Sequence, residues 1–204
     1  LEQELAAARQ GNRALSVLIM DIDRFKYIND IFGYEMGDKV LTRTAELLQA
    51  ALGNKDLLAR LGSDEFAVVH LSDTLFVDAA AVAKKIKDAI SSSMKIGEQD
   101  IVVTVTIGIA DFPLNGQDAE TLLKSADMAL SRAKVLGRNT VQFFSSDIVE
   151  RMSDFYFLEK RLFSALKNDE YLIDYQPYCD LSTRKIAGVE ALNGPQDFIP
   201  RNNK

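Results

Sequence analysis

Leu57-Leu58-Ala59-Arg60-Leu61-Gly62-Ser63-Asp64-Glu65-Phe66-Ala67-Val68-Val69-His70-Leu71 holds two apolar runs parted by a polar tip. Runs of this length and composition read as strands, and Gly-Ser-Asp-Glu is turn chemistry, so the stretch predicts a β-hairpin. Its tip carries two adjacent carboxylates, Asp64 and Glu65. Upstream, the apolar run Ala14-Leu15-Ser16-Val17-Leu18-Ile19-Met20 ends in Asp21-Ile22-Asp23-Arg24-Phe25-Lys26. A buried strand that ends in a carboxylate is costly unless something cationic meets it. Two such ends on one sheet can hold a hard divalent cation, and Mg²⁺ typically takes carboxylates together with substrate phosphates. The hairpin and the upstream run together point to metal-assisted chemistry on a nucleotide.

Outward from this pair the chain alternates. Residues 1–12 read as the tail of an amphipathic helix and 14–21 as a strand. Phe25, Ile28, Ile31 and Phe32 have helical spacing, with Gly33 as the stop; a second helix runs from Met36 to Leu52, ended by Gly53. After the hairpin come a helix over 76–90, a long β-branched strand over 101–110, a helix over 119–136 and a short strand over 140–144. The order β-α-α-β-β-α-β-α-β predicts an α+β sandwich, a palm-like, mostly antiparallel sheet flanked by helices. A helix over 145–167, strands over 171–178 and 185–192, and an unstructured tail over 193–204 complete the reading.

The composition is that of a globular domain: 204 residues, 47% hydrophobic and 26% charged. No apolar run approaches the roughly 18 residues of a membrane helix, so no direct membrane contact is expected in this chain. A net charge of −6 argues against nucleic acid as a partner. With one cysteine (Cys179) and one histidine (His70), neither a disulfide nor a zinc site can form within the chain. A reducing cytoplasm fits. The opening Leu1-Glu2-Gln3-Glu4-Leu5 starts in mid-helix, the expectation for a piece of a longer parent that could itself be membrane-anchored.

Asp21-Ile22-Asp23-x-Phe25-Lys26-x-Ile28-Asn29-Asp30, Gly33, Gly37-Asp38 and the hairpin tip together resemble the GGDEF domain of diguanylate cyclases, over residues 1–145. The resemblance implies that Asp21, the Ile22 carbonyl, Asp64 and Glu65 bind Mg²⁺ or Mn²⁺, with Asp64 and Glu65 at the reacting centre. It implies that Asn29 and Asp38 hold guanine, that Gly62 binds the substrate, and that the next position, Ser63, lies against it. A carboxylate accepts both the ring N–H and the exocyclic amine of guanine, which adenine cannot supply. Ala126-Asp127-x-Ala129-Leu130-x-x-Ala133-Lys134-x-x-Gly137-Arg138-Asn139 resembles the family's closing segment, where Lys134 and Arg138, four apart on one predicted helical face, would clamp the triphosphate. The family reaction joins two GTP into cyclic di-GMP and two pyrophosphates, each nucleotide held by one member of a homodimer.

Three departures bear on this. Ser63 stands where the family has its second glycine; it adds a hydroxymethyl group and disfavours a positive φ. Gly53 stands where many active members carry the arginine of an Arg-x-x-Asp product site, leaving Asp56 alone and predicting no feedback there. Tyr34 and Ser131 replace a common histidine and tyrosine.

Tyr175-Gln176-Pro177, Gly188-Val189-Glu190-Ala191-Leu192 and Phe198-Ile199-Pro200 resemble the opening of an EAL cyclic di-GMP phosphodiesterase, which implies Glu190 as a metal ligand. That barrel needs about 250 residues, whereas the segment here runs from Phe155 to Lys204, and Asn193-Gly194 replace the arginine and tryptophan that follow Glu-Ala-Leu. The fragment is therefore expected to be inactive. The organisation expected is a GGDEF domain (1–145), a connecting helix (146–168) and an incomplete EAL start (169–204). Two functions stand open: a cyclase, or a catalytically degenerate GTP-binding module that regulates an attached phosphodiesterase.

Overall fold

The computed structural model describes residues 1–11, 13–72, 79–91, 94–96, 99–147, 162, 164–165, 167–168 and 171–195. The chain divides into two units, Leu1–Val149 and Glu150–Lys204. In the first, β1 (Leu15–Ile22) is the middle of a five-stranded sheet, with β2 (Leu57–Arg60), β3 (Glu65–Leu71), β6 (Val105–Phe112) and β7 (Val141–Phe143) in the order β2-β3-β1-β6-β7. All neighbours are antiparallel except β6 and β7.

β1 shows no apolar–polar alternation because helices cover both of its faces. Leu18, Met20 and Ile22 enter a core with Phe25 and Ile28 of α2 (Phe25–Phe32), Val40, Leu41 and Leu48 of α3 (Tyr34–Ala51), and Ala83, Ile86 and Ile90 of α4 (Ala79–Ser91). Leu15, Val17 and Ile19 enter a second core with Leu5 and Ala8 of α1 (Glu2–Gly11) and Leu122, Ala126 and Leu130 of α5 (Ala119–Val135). Fully buried Ser16 of the same strand donates its hydroxyl to Asp111 directly opposite on β6. α5 lies so close to β6 that a Cβ on Gly108 would sit 2.2 Å from both Ala126 O and Leu130 N. Asp118 caps α5 by accepting from Thr121 N at 2.8 Å, which holds its carboxyl below the usual range.

The structure corrects several expected bounds. The run 101–110 is not one strand: Ile101 ends β5 (Gln99–Ile101), which pairs with β4 (Met94–Ile96) in a separate hairpin, and β6 begins only at Val105. The break re-aims the chain, since Thr104 and Thr106 are needed as donors at the end of β1. Residues 76–78 of the helix expected over 76–90, and 148–161 of that expected over 145–167, lie outside the described residues.

The second unit contains a hairpin of β8 (Tyr171–Cys179) and β9 (Ile186–Pro195), with Gln176 opposite Glu190. Residues 193–195 of the expected unstructured tail belong to β9; the remainder, 196–204, is outside the described residues. Asp180 shapes the turn by accepting from the backbone N–H groups of Ser182 and Thr183, and hydrogen bonds from Ser182 and Thr183 lower its carboxyl to a pKa of about 2. Ile173, Tyr175, Tyr178, Ile186 and Val189 are exposed along the ribbon. No helix among the described residues is long and apolar enough to cross a membrane.

Candidate functional site

The carboxylates at the end of β1 and just past it divide their work. Asp23 is buried and accepts from Thr104 Oγ1 and Thr106 Oγ1, both at 2.6 Å, and from Asn139 N at 3.0 Å. Its carboxylate is consumed in joining β1 to the strand beside it and to the loop after α5. Asp21, two residues earlier, accepts from Lys134 Nζ at 2.8 Å, with the side chains 16% and 31% exposed respectively. Burial pushes the Asp21 carboxyl above its ordinary value; Lys134 opposes this, and the charges of Asp64 and Asp23 add to it.

Asp64 is brought here by the hairpin. Asp21 lies opposite Glu65 in the β1–β3 ladder, and Ile22 N donates to Asp64 O at 3.2 Å. The tip is held by Arg60, whose guanidinium donates to Gly62 O at 3.0 Å and Ser63 O at 2.8 Å. Sequence reading missed Arg60; the only signal was an arginine at the end of an apolar strand. Neither Gly62 nor Ser63 is among the residues with positive φ, so the expected backbone conflict at Ser63 does not arise. What serine does instead is donate its hydroxyl to Asp64 Oδ1 at 2.5 Å. A Cβ on Gly62 would make ordinary contact with Glu65, so the fold itself does not demand glycine there.

Asn29 and Asp38 sit on the two helices that follow β1. The Asn29 amide packs against Gly37, where a Cβ would fall 1.9 Å from Oδ1. That oxygen is buried and has no hydrogen-bond partner among the described residues. Such an acceptor is costly unless a ligand supplies a donor. Asp38 is exposed and borders a groove of about 590 Å³ with Leu41, Leu58, Arg60 and Phe66.

Lys134 and Arg138 do not share a helical face. α5 stops at Val135, Gly137 turns left-handed (φ 119°), and Arg138 (φ 61°) lies in the exit turn, its N–H donating to Ala133 O. Arg138 borders a concavity of about 380 Å³ with Arg24, Tyr27 and Asn139.

Asp56 faces inward: Oδ1 meets His70 Nδ1 at 2.7 Å, and Oδ2 accepts from Gly53 N at 2.8 Å. His70 thus ties β3 to the turn before β2. Glu190 is exposed on β9, in the other unit. Among the described residues, no three acidic, histidine or cysteine side chains converge as a metal site. At the end of β1, carboxylates without soft ligands form a locally negative corner, a donor chemistry that fits a hard divalent cation with positions left for phosphate oxygens.

Comparison with known proteins bears on this geometry. Residues 1–140 match the family described as diguanylate cyclase, GGDEF domain. Two Pseudomonas aeruginosa proteins are similar: the bifunctional diguanylate cyclase/cyclic di-GMP phosphodiesterase MucR, 36% identical over 94% of this chain and 28% of its own, and the cyclic di-GMP phosphodiesterase NbdA, 32% identical over 93% of this chain and 24% of its own. The chain thus spans about a quarter of the length of these relatives. The solved GGDEF domain of YfiN (TpbB) from Pseudomonas aeruginosa superposes with a TM-score of 0.66 at 36% identity, over 71% of this chain and 91% of its own.

Proposed function

The chain belongs to the GGDEF, diguanylate cyclase, family, and from that premise we propose that its first unit binds GTP with Mg²⁺ or Mn²⁺ and performs the cyclase reaction. The observation that carries this reading is the meeting of Asp21, Lys134 and Asp64 at the end of β1, with Asn29's unpaired amide oxygen on the next helix. Asn29 and Asp38 take the guanine edge, Gly62 admits the nucleotide beside the hairpin tip, and Lys134 and Arg138 neutralise the triphosphate. Asp21, the Ile22 carbonyl, Asp64 and Glu65 would hold the cation. When bound, it lowers the pKa of an attacking 3′-hydroxyl and offsets charge on the phosphates.

Two such domains facing each other align the 3′-hydroxyl of one GTP with the α-phosphate of the other, so a homodimer is required, and cyclic di-GMP and two pyrophosphates leave. We place the domain in the cytoplasm, where GTP is available. In the second unit, Glu190 stands in the Glu-Ala-Leu run of β9, and we read the segment as the start of an EAL domain, in which Glu190 would be a metal ligand.

A second reading has its own observation. The Ser63 hydroxyl engages Asp64 Oδ1, a ligand position of the first reading. On this reading the domain binds GTP without turnover and regulates an attached phosphodiesterase. Purified protein given Mg²⁺ and GTP, with dimerisation enforced, decides between them. Cyclic di-GMP formation supports the cyclase; GTP binding without product supports the regulatory module. Equal affinity for ATP and GTP would overturn the guanine assignment in both.

A further inference from the structure

We propose that Lys134 is a resident counter-cation, whose ion pair with Asp21 holds the metal position closed until nucleotide arrives, so that divalent metal and GTP load together. The inference rests on the GTP-binding reading above and adds an order of events to it.

Of the three aspartates at this corner, two accept from neutral donors. Asp23 has Thr104, Thr106 and Asn139, and Asp64 has the Ser63 hydroxyl. Asp21 is different: its Oδ2 is held by a charged donor, the Lys134 ammonium, at 2.8 Å. The carboxylate is largely enclosed, and without the neutral donors that serve Asp23 its charge is costly unless a cation meets it. In the free protein that cation is Lys134.

A metal ion that takes Asp21 as a ligand must evict the ammonium. Lys134 belongs to the last turn of α5, and Leu122, Ala126 and Leu130 bury that helix in the second core, so its withdrawal from the sheet would expose apolar surface. Only the flexible side chain moves, and no other carboxylate among the described residues pairs with it. Metal alone therefore leaves a half-buried ammonium next to a new dication. A metal accompanied by a triphosphate gives the ammonium a replacement anion. Linkage is reciprocal: if Lys134 makes metal binding depend on nucleotide, Asp21 must make nucleotide binding depend on metal.

The test measures Mn²⁺ binding without nucleotide, by electron paramagnetic resonance or calorimetry, in the full chain and in Lys134→Met. The variant is expected to bind bare Mn²⁺ at least ~10-fold more tightly, while its affinity for a non-hydrolysable GTP analogue with Mn²⁺ falls. Asp21→Asn gives the converse arm: with metal chelated, it should bind the analogue more tightly than the starting protein, because Lys134 is already free. Circular dichroism confirms that each variant is folded, and either arm decides alone if the other variant is not. Bare-metal affinity unchanged or weaker in Lys134→Met, or metal-free nucleotide affinity unchanged in Asp21→Asn, overturns the proposal. If the analogue binds to no variant with or without metal, the GTP reading falls and takes the coupling with it. An insensitive bare-metal affinity alongside normal GTP binding overturns the coupling alone.

Discussion

Ser63 separates steric from chemical effects at the hairpin tip. Since its φ is unstrained, any impairment comes either from the bulk of Cβ or from the hydroxyl that holds Asp64 at 2.5 Å. Ser63→Gly is expected to raise cyclic di-GMP formation by ~10-fold, about 1.4 kcal/mol of barrier, with GTP affinity little changed. Ser63→Ala distinguishes the causes: recovery to the glycine level assigns the defect to the hydroxyl, and no recovery assigns it to bulk. Asp21 offers a second residue-scale expectation. Its carboxyl is raised by burial, so its contribution to stability is present while it is protonated and is lost as pH climbs through the raised value. Folding stability should therefore decline with pH just above the ordinary carboxylate range, and Asp21→Asn should flatten that decline and raise the urea midpoint at neutral pH. A lower midpoint for Asp21→Asn at pH 7 would mean that the Lys134 pair outweighs the burial cost.

At the scale of elements, Gly108 is the point where α5 touches the sheet. Gly108→Ala puts a methyl group 2.2 Å from backbone atoms that cannot rotate away. It should cost at least ~1–3 kcal/mol, read from urea denaturation, and should loosen α5 and with it the position of Lys134. Much of this layer was legible in advance. The hairpin announced itself because two apolar runs flank a turn tip, and the helices because their apolar residues recur at helical spacing. What stayed hidden depended on partners distant in sequence. The 101–110 run looks continuous, since β-branched residues carry no mark of the break that lets Thr104 and Thr106 reach Asp23. The Lys134–Arg138 pair satisfied the spacing rule, and only Gly137's left-handed turn removes Arg138 from the helix. The meeting of Asp21 with the hairpin tip was legible by resemblance, whereas the division of labour between Asp21 and Asp23 was not, because both follow one apolar run.

At the scale of the whole molecule, Asp23 joins segments that meet nowhere else in sequence: the end of β1, the approach to β6 through Thr104 and Thr106, and the α5 exit through Asn139. In a random-mutagenesis screen for lost cyclic di-GMP signalling, this buried carboxylate should surface as often as the residues that meet nucleotide. Alleles at Thr106 should phenocopy those at Asp23, and many should be temperature-sensitive, since a missing hydrogen bond matters most where stability is already thin. Second-site suppressors should map across the fold without respect to distance along the gene, and they should restore function without restoring the aspartate. If Asp23→Ala alleles signal normally at every growth temperature, the three segments hold one another without it. A geneticist working from phenotype alone would take Asp23 for a residue that touches a ligand, although what it holds is the protein itself.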